Sequence, residues 1–227
     1  MKAVWFSIIT LFFTVGLFGQ NALRDAERLS EQQEYEASSA QLLSFIDSHP
    51  ERKYDLGRAW ALHSYNLLRQ GKGEEARTAN DKSFNLRRQL RSPEISENYL
   101  RAAQIDIAAK QYRDALAAAE QGMQMLIENP RIYADLNFYA AKALYKMGRP
   151  EEAQEYFATA RDVVLIEVGT SDRAYANLLY QGGLIQMERK SYSEAFTLLS
   201  TAYYVATDPI LRVRSIIAAW QAYNISK

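Results

Sequence analysis

The chain has 227 residues, 27 basic and 27 acidic, and a formal net charge of zero, so it lacks the basic balance that accompanies nucleic-acid binding. It contains no cysteine, which excludes disulfides, thiolate metal sites and cysteine nucleophiles. With 48% hydrophobic residues it can bury a sizeable core, held together by packing alone.

Met1-Lys2 is followed by an apolar run from Ala3 to Phe18. One positive charge, a short hydrophobic stretch and small residues around Gly19 suit a secretory signal peptide. The run is also shorter than the roughly 20 residues of a comfortable membrane span. Cleavage is expected after Gly19, with an uncleaved anchor as the alternative. Residues 1–19 then leave, and residues 20–227 carry 26 basic and 27 acidic side chains. Export without cysteines fits a bacterial periplasm or a secretion route, with no stable membrane insertion after cleavage.

A helical pattern begins at Asn21, with Ala22, Ala26 and Leu29 at helical spacing. Glu34 to Ile46 reads as a second helix, its stripe formed by Tyr35, Ala40, Leu43 and Ile46, and Ser48-His49-Pro50 ends it. Tyr54 to Leu68 places Leu56, Trp60, Ser64 and Leu67 on one face; Gly71 and Gly73 mark a turn; the next helix runs through Ala76, Ala79 and Ser83 to Arg91. Ser92-Pro93-Glu94 restarts the chain as cap, first-turn proline and acid. The stripe Ile95, Tyr99, Ala102, Ala103, Ile107 is then followed by a helix from Tyr112 to Ile127. Ile132–Met147 pairs with Pro150–Val168, and Asp172–Glu188 with Tyr192–Ala206. Asp208-Pro209 opens a last helix, without a successor, that caps the array. No strand pattern appears, and the short loops force neighbouring helices antiparallel.

One sentence recurs along the chain. Ala37, Ala76, Ala115, Ala153 and Ala195 each follow a tight turn and a polar first helical turn, at steps of 39, 39, 38 and 42 residues. A period near 40 is the mark of stacked supersecondary units. A small residue, Ser64, Ala103, Ala141 or Gly183, precedes each of the last four alanines by 12 residues. There the two helices of a hairpin cross closely, and a larger side chain would push them apart.

These residues resemble tetratricopeptide repeats, and the last unit, with its longer step, is similar to the kinesin-light-chain-like variant. The resemblance implies an all-α array of antiparallel helix hairpins, a superhelical solenoid, over residues 20–227. Its units are residues 21–50, 51–92, 93–130, 131–169 and 170–207, with a capping helix over 208–226. It also implies a partner-binding groove on the concave face lined by the first helix of each hairpin. Counting from the anchors, the groove positions fall on Arg58, Ala61, Tyr65 and Leu68; on Glu97, Leu100, Gln104 and Ile107; on Asp135, Phe138, Lys142 and Tyr145; and on Asn177, Tyr180, Leu184 and Met187. Some of these are expected to pack against the next repeat instead. Only Lys142 and Asn177 are loosely comparable with the carboxylate clamp of the family's chaperone-binding members, so that ligand class is not expected.

Catalytic constellations are missing. The pairs Glu34/Glu36, Glu74/Glu75 and Glu151/Glu152 recur at one point of the repeat, which marks architecture. His49 and His63 have no metal-spaced partner, and Gly71-Lys72-Gly73 lacks P-loop spacing. Arg87, Arg88 and Arg91 stand where positive charge complements a helix C-terminus, with an acidic partner patch as the alternative. The expectation is an exported, non-enzymatic scaffold or adaptor for a protein or peptide of unknown identity, without metal, cofactor or catalytic residues. A small-ligand sensory module and a structural subunit of a cell-envelope assembly are its alternatives.

Overall fold

A computed structural model describes residues 22–125, 129–169 and 173–227; the expected signal peptide lies outside them. The described residues contain no strand. A first helix, α1, covers residues 22–31. It is followed by α2 (Tyr35–Ser48), α3 (Lys53–Arg69), α4 (Gly73–Gln89), α5 (Ile95–Ala108), α6 (Tyr112–Met123), α7 (Pro130–Lys146), α8 (Pro150–Val168), α9 (Arg173–Glu188), α10 (Tyr192–Val205) and α11 (Pro209–Ser226). Chain contacts divide them into two units, one ending at Ala109 and one running from Lys110 to Lys227. The division falls in a turn inside the expected repeat 93–130.

Local chemistry explains where the helices begin and end. Pro130, Pro150 and Pro209 open α7, α8 and α11, where a missing N–H costs nothing. Asn129 accepts from the Arg131 N–H at 3.0 Å, and Asp208 accepts from Ile210 and Leu211 at 2.8 and 3.2 Å, satisfying donors the helix cannot. Ser92-Pro93-Glu94 differs from expectation: the helix starts at Ile95, and Ser92 accepts from the Glu94 N–H at 3.3 Å in the turn before it.

The hairpin turns share one backbone signature. Gln33, Gly71, Lys110, Gly148 and Lys190 all have φ between 62° and 78°, the left-handed conformation that stops a helix. Around them Glu34, Lys72, Arg149 and Ser191 donate back to the carbonyls of Leu29, Leu67, Leu144 and Gln186 at 2.9–3.0 Å, closing the Schellman pattern.

Ala76, Ala115, Ala153 and Ala195, and their predecessors Ser64, Ala103, Ala141 and Gly183, are all buried as expected. The first repeat is corrected by one residue. Ala37, Ala40 and Leu43 are exposed, Leu43 by 40%, while Ser38, Ser39, Leu42 and Phe45 are buried. The anchor is therefore Ser38, five residues after the left-handed Gln33, just as Ala76 follows Gly71. Its Oγ donates to the carbonyl of Ala26, 12 residues earlier, at 2.7 Å. Ser64 Oγ makes the mirror-image bond to the Ala76 carbonyl, also at 2.7 Å. A second bond, from Ser83 Oγ to the Gly57 carbonyl at 2.8 Å, ties α3 to α4.

In the unit that begins at Lys110, the core gathers Phe138, Leu144, Phe157, Val164 and Leu179. Helix α9 is clasped through its two glycines. A Cβ on Gly182 would lie 2.4 Å from Phe157 Cζ of α8, and one on Gly183 would lie 2.5 Å from Leu199 Cγ of α10.

Candidate functional site

In the unit ending at Ala109, α1, α3, α4 and α5 enclose a cleft of about 530 Å³. Arg58, Ala61, Tyr65 and Glu97, four of the expected groove residues, line it, and they line it because α3 and α5 lie side by side there. Gln104 stands next to it, accepting from Arg101. Leu100 is buried instead.

The cleft is charged and balanced. Arg58 donates to Glu27 at 2.7 Å; Tyr54 donates to Glu94 at 2.7 Å, and that bond holds its hydroxyl pKa above the ordinary tyrosine value. The Arg101 guanidinium lies 4.7 Å from the centre of the Tyr65 ring, whose other neighbour is the edge of Tyr35 at 6.1 Å. Burial raises the Tyr65 pKa, so both tyrosines are neutral donors at physiological pH.

The floor was not foreseen. Arg87 lies in the last turn of α4, where positive charge was expected, but it is only 3% exposed. It donates to the Glu94 carbonyl, to Asn98 Oδ1 and to the carboxylates of Glu94 and Glu97 at 2.9–3.1 Å. Asn98 in turn donates to Asn80 Oδ1 at 3.0 Å, and Asn80 donates to the Asn98 carbonyl at 3.0 Å. A hub with this many charge-assisted bonds fixes α4 against the start of α5. Only Arg88 and Arg91 remain exposed, so no three-arginine patch forms. Behind the cleft, Ser30 donates to Asn66 Oδ1 at 2.7 Å and Asn66 donates to Ser38 at 2.8 Å, joining α1, α2 and α3 through buried polar groups.

The expected groove residues of the other unit do not converge on one cavity. Phe138 is 6% exposed and its ring lies 6.5 Å from Phe157 in the core. Tyr145 is buried as well; Gln186 donates to its hydroxyl at 3.4 Å, Arg189 lies 4.9 Å from its ring, and burial raises its pKa. Lys142 is half-buried, with an ammonium pKa lowered by that burial, and Lys146 beside it pairs with Glu188. Asp135 and Asn177 are exposed. Tyr180, Leu184 and Met187 are half-buried and pack toward Leu199, Ala218 and Ala219. Tyr145 instead borders a more apolar cleft of about 400 Å³ between α8 and α10, with Phe157, Ala158, Gln186 and Leu198. Counting from anchors points at first helices only and cannot find a cleft walled by second helices.

Among the described residues no three His, Asp or Glu side chains gather as a metal site. His63 is buried on α3, its Nδ1 without a hydrogen-bond partner and its ring against Trp60 at 5.8 Å. His49 stacks on Phe45 at 4.7 Å, with Nδ1 3.2 Å from the Phe45 carbonyl. Both are built into packing. No described helix is long and apolar enough to cross a membrane.

No family model matches the sequence, and comparison with curated proteins gives no match either. Solved structures do match. A thermophilic tetratricopeptide-repeat protein of Thermus thermophilus, TTC0263, superposes with a TM-score of 0.69 at 19% identity, over 88% of this chain and 98% of that one. BtubC (BKLC) from P. vanneervenii gives 0.66 at 14%, over 92% and 84%. The kinesin-light-chain repeats of Podosopora anserina give 0.60 at 13%, over 82% and 93%. At such identities the likeness is one of architecture: the chain has the tetratricopeptide-repeat fold, with kinesin-light-chain repeats among its structural neighbours.

Proposed function

We propose that the chain is an exported, non-enzymatic repeat scaffold that binds a protein or peptide segment, with the cleft of α1, α3, α4 and α5 as its principal contact. The observation that carries this reading is the company Tyr65 and Tyr54 keep. Two rigid aromatic side chains share the cleft with Arg58, Arg87 and Arg101 and with Glu27, Glu94 and Glu97, and bonds within the fold fasten Tyr54 to Glu94, Arg58 to Glu27, and Arg87 to Glu94 and Glu97. Tyrosine and arginine so placed are typical anchors of protein interfaces, and prior fastening lowers the entropy lost on binding. A matched set of three acids and three arginines suits a polar, mixed-charge segment better than a strongly acidic or basic one.

The test is capture from envelope extract with residues 20–227, beside an Arg58→Glu/Tyr65→Ala variant of unchanged circular dichroism. A protein retained by the first and lost by the second supports the cleft; equal retention refutes it. Export rests on the stretch from Met1 to Gly19. Cell fractionation with N-terminal sequencing tests it: a soluble periplasmic or secreted chain starting at Gln20 is expected, and a cytoplasmic chain starting at Met1 contradicts it.

A further inference from the structure

Helix α11 carries its apolar residues on the wrong side for a cap. Its buried face is made of Leu211, packed with Ala176 and Ala206, and of four small residues, Ser215, Ala218, Ala219 and Ala222, of which the alanines pack with Ala195 and Leu199 of α10. Ile210, Val213, Ile216, Ile217, Trp220 and Tyr223 are exposed, Trp220 by 66% and Ile210 by 65%. An end helix of a repeat array ordinarily turns a polar face outward, because solubility depends on it. Here the six side chains, at three- and four-residue spacing, form one continuous stripe. At about 200 Å² for each large side chain they expose on the order of 600–700 Å², above the largest patch of most monomers and close to one side of a standard protein interface.

The repeat shows what such a stripe is for. Aligning Ala219 with Gly183 and Ser64, the small crossing positions, puts Val213, Ile216, Trp220 and Tyr223 where α3 has Arg58, Ala61, Tyr65 and Leu68. Those are the positions through which a first helix leans on the first helix of the following hairpin: Tyr65 meets Arg101 of α5, and Tyr145 of α7 meets Gln186 and Arg189 of α9. The stripe is thus a repeat-stacking surface with no following repeat among the described residues.

We propose that a second copy of this chain covers it, α11 packing antiparallel on α11 about a two-fold axis. A two-fold contact uses the same patch twice, and this patch is self-complementary. With the axis between Ile216 and Ile217, Ile216 meets Ile217, Val213 meets Trp220 and Ile210 meets Tyr223 of the other copy, so all six residues gain an apolar counterpart. Arg212 and Arg214 are the helix's charged residues; antiparallel packing sets them opposite Gln221 and Ala219, whereas parallel packing would set each arginine against itself. The doubled area, on the order of 1,200–1,400 Å², falls within the range of specific interfaces.

Sedimentation equilibrium of residues 20–227, the chain expected after cleavage, at micromolar concentration in detergent-free buffer decides the matter. A dimer is expected, with Trp220→Glu raising its dissociation constant at least about 100-fold, since two anchors are lost per dimer. Helix content should stay unchanged, and the melting temperature of the variant should match that of the parent diluted until it is monomeric. Ile217→Cys, the sole thiol of that variant, should form a disulfide-linked dimer on mild oxidation that Trp220→Glu abolishes. A monomeric parent overturns the proposal, as does a dimer that tolerates both Trp220→Glu and Val213→Glu.

Discussion

Replacing Gly183 by alanine sets two effects of opposite sign against each other. Glycine inside a helix is about 1 kcal/mol worse than alanine, so propensity alone says that Gly183→Ala stabilises. The structure says otherwise. The new Cβ would lie 2.5 Å from Leu199 Cγ, 2.8 Å from its Cδ2 and 3.4 Å from the Ala195 carbonyl oxygen, where carbon atoms normally keep about 3.5–4.0 Å apart. Leu199 has no room to retreat, since it is wholly buried with Ala218 and Ala219 in the same cluster. Forcing a methyl into such packing costs about 1–3 kcal/mol, and so close an approach belongs at the upper end. Net destabilisation of about 1–2 kcal/mol is expected after the propensity gain is subtracted, or a melting temperature lower by several degrees. Urea denaturation followed by circular dichroism measures it, with Gly73→Ala, whose Cβ meets nothing within 4 Å, as the neutral or slightly stabilising control. Shortening the obstacle, in Gly183→Ala/Leu199→Ala, should show a favourable coupling of about 1 kcal/mol relative to the two single changes. Stabilisation by the single change would refute the close crossing of α9 and α10.

Three further changes probe other parts of the account. Arg87→Ala removes a donor from the Glu94 carbonyl, from Asn98 and from two carboxylates, of which Glu94 keeps its bond from Tyr54. With Glu94 and Glu97 able to rehydrate, a loss of about 2–3 kcal/mol in chemical denaturation is expected, against less than about 0.5 for exposed Arg88→Ala. Lys190→Gly relieves a left-handed residue at φ 63° and should raise the melting temperature, by about 1 kcal/mol of stability; an unchanged or lower melting temperature would contradict the strain. Burial first, with Lys82 and Lys72, lowers the His63 pKa against the weaker opposing pull of Glu75. The folded state therefore resists protonation: stability is full above the ordinary histidine pKa of about 6.5 and falls as pH drops through it toward the folded value. His63→Gln should flatten denaturation midpoints between about pH 7 and 5, and an equally steep decline in the variant would remove His63 as its source.

The repeat was legible because its physics is periodic. Close crossing demands small residues 12 apart, and Ser64–Ala76 and Ala141–Ala153 are both buried at that spacing. The first repeat hid because a serine replaced the anchoring alanine while an exposed alanine stood beside it. Two turns announced their left-handed residue with Gly71 and Gly148; Gln33, Lys110 and Lys190 adopt the same conformation without glycine, which no residue type discloses. Tyr65 and Arg58 were found by counting because their turn of α3 faces the cleft. Phe138 and Tyr145 were placed by the same count but sink into the core, since neighbouring bulk, not register, decides depth. Arg87 looked like charge at a helix end, and only its distant-side partners Glu94 and Asn98 reveal a buried hub.

The central claim is that the cleft beside Tyr65 meets a partner. Tyr54 borders it, is 51% exposed and can be replaced by the photoreactive benzoylphenylalanine, with Ile166, 78% exposed on α8, as the control position. Irradiation of living cells should give a covalent adduct with a second protein from position 54 and none from position 166. No adduct at position 54, or the same adduct from both, would contradict the account.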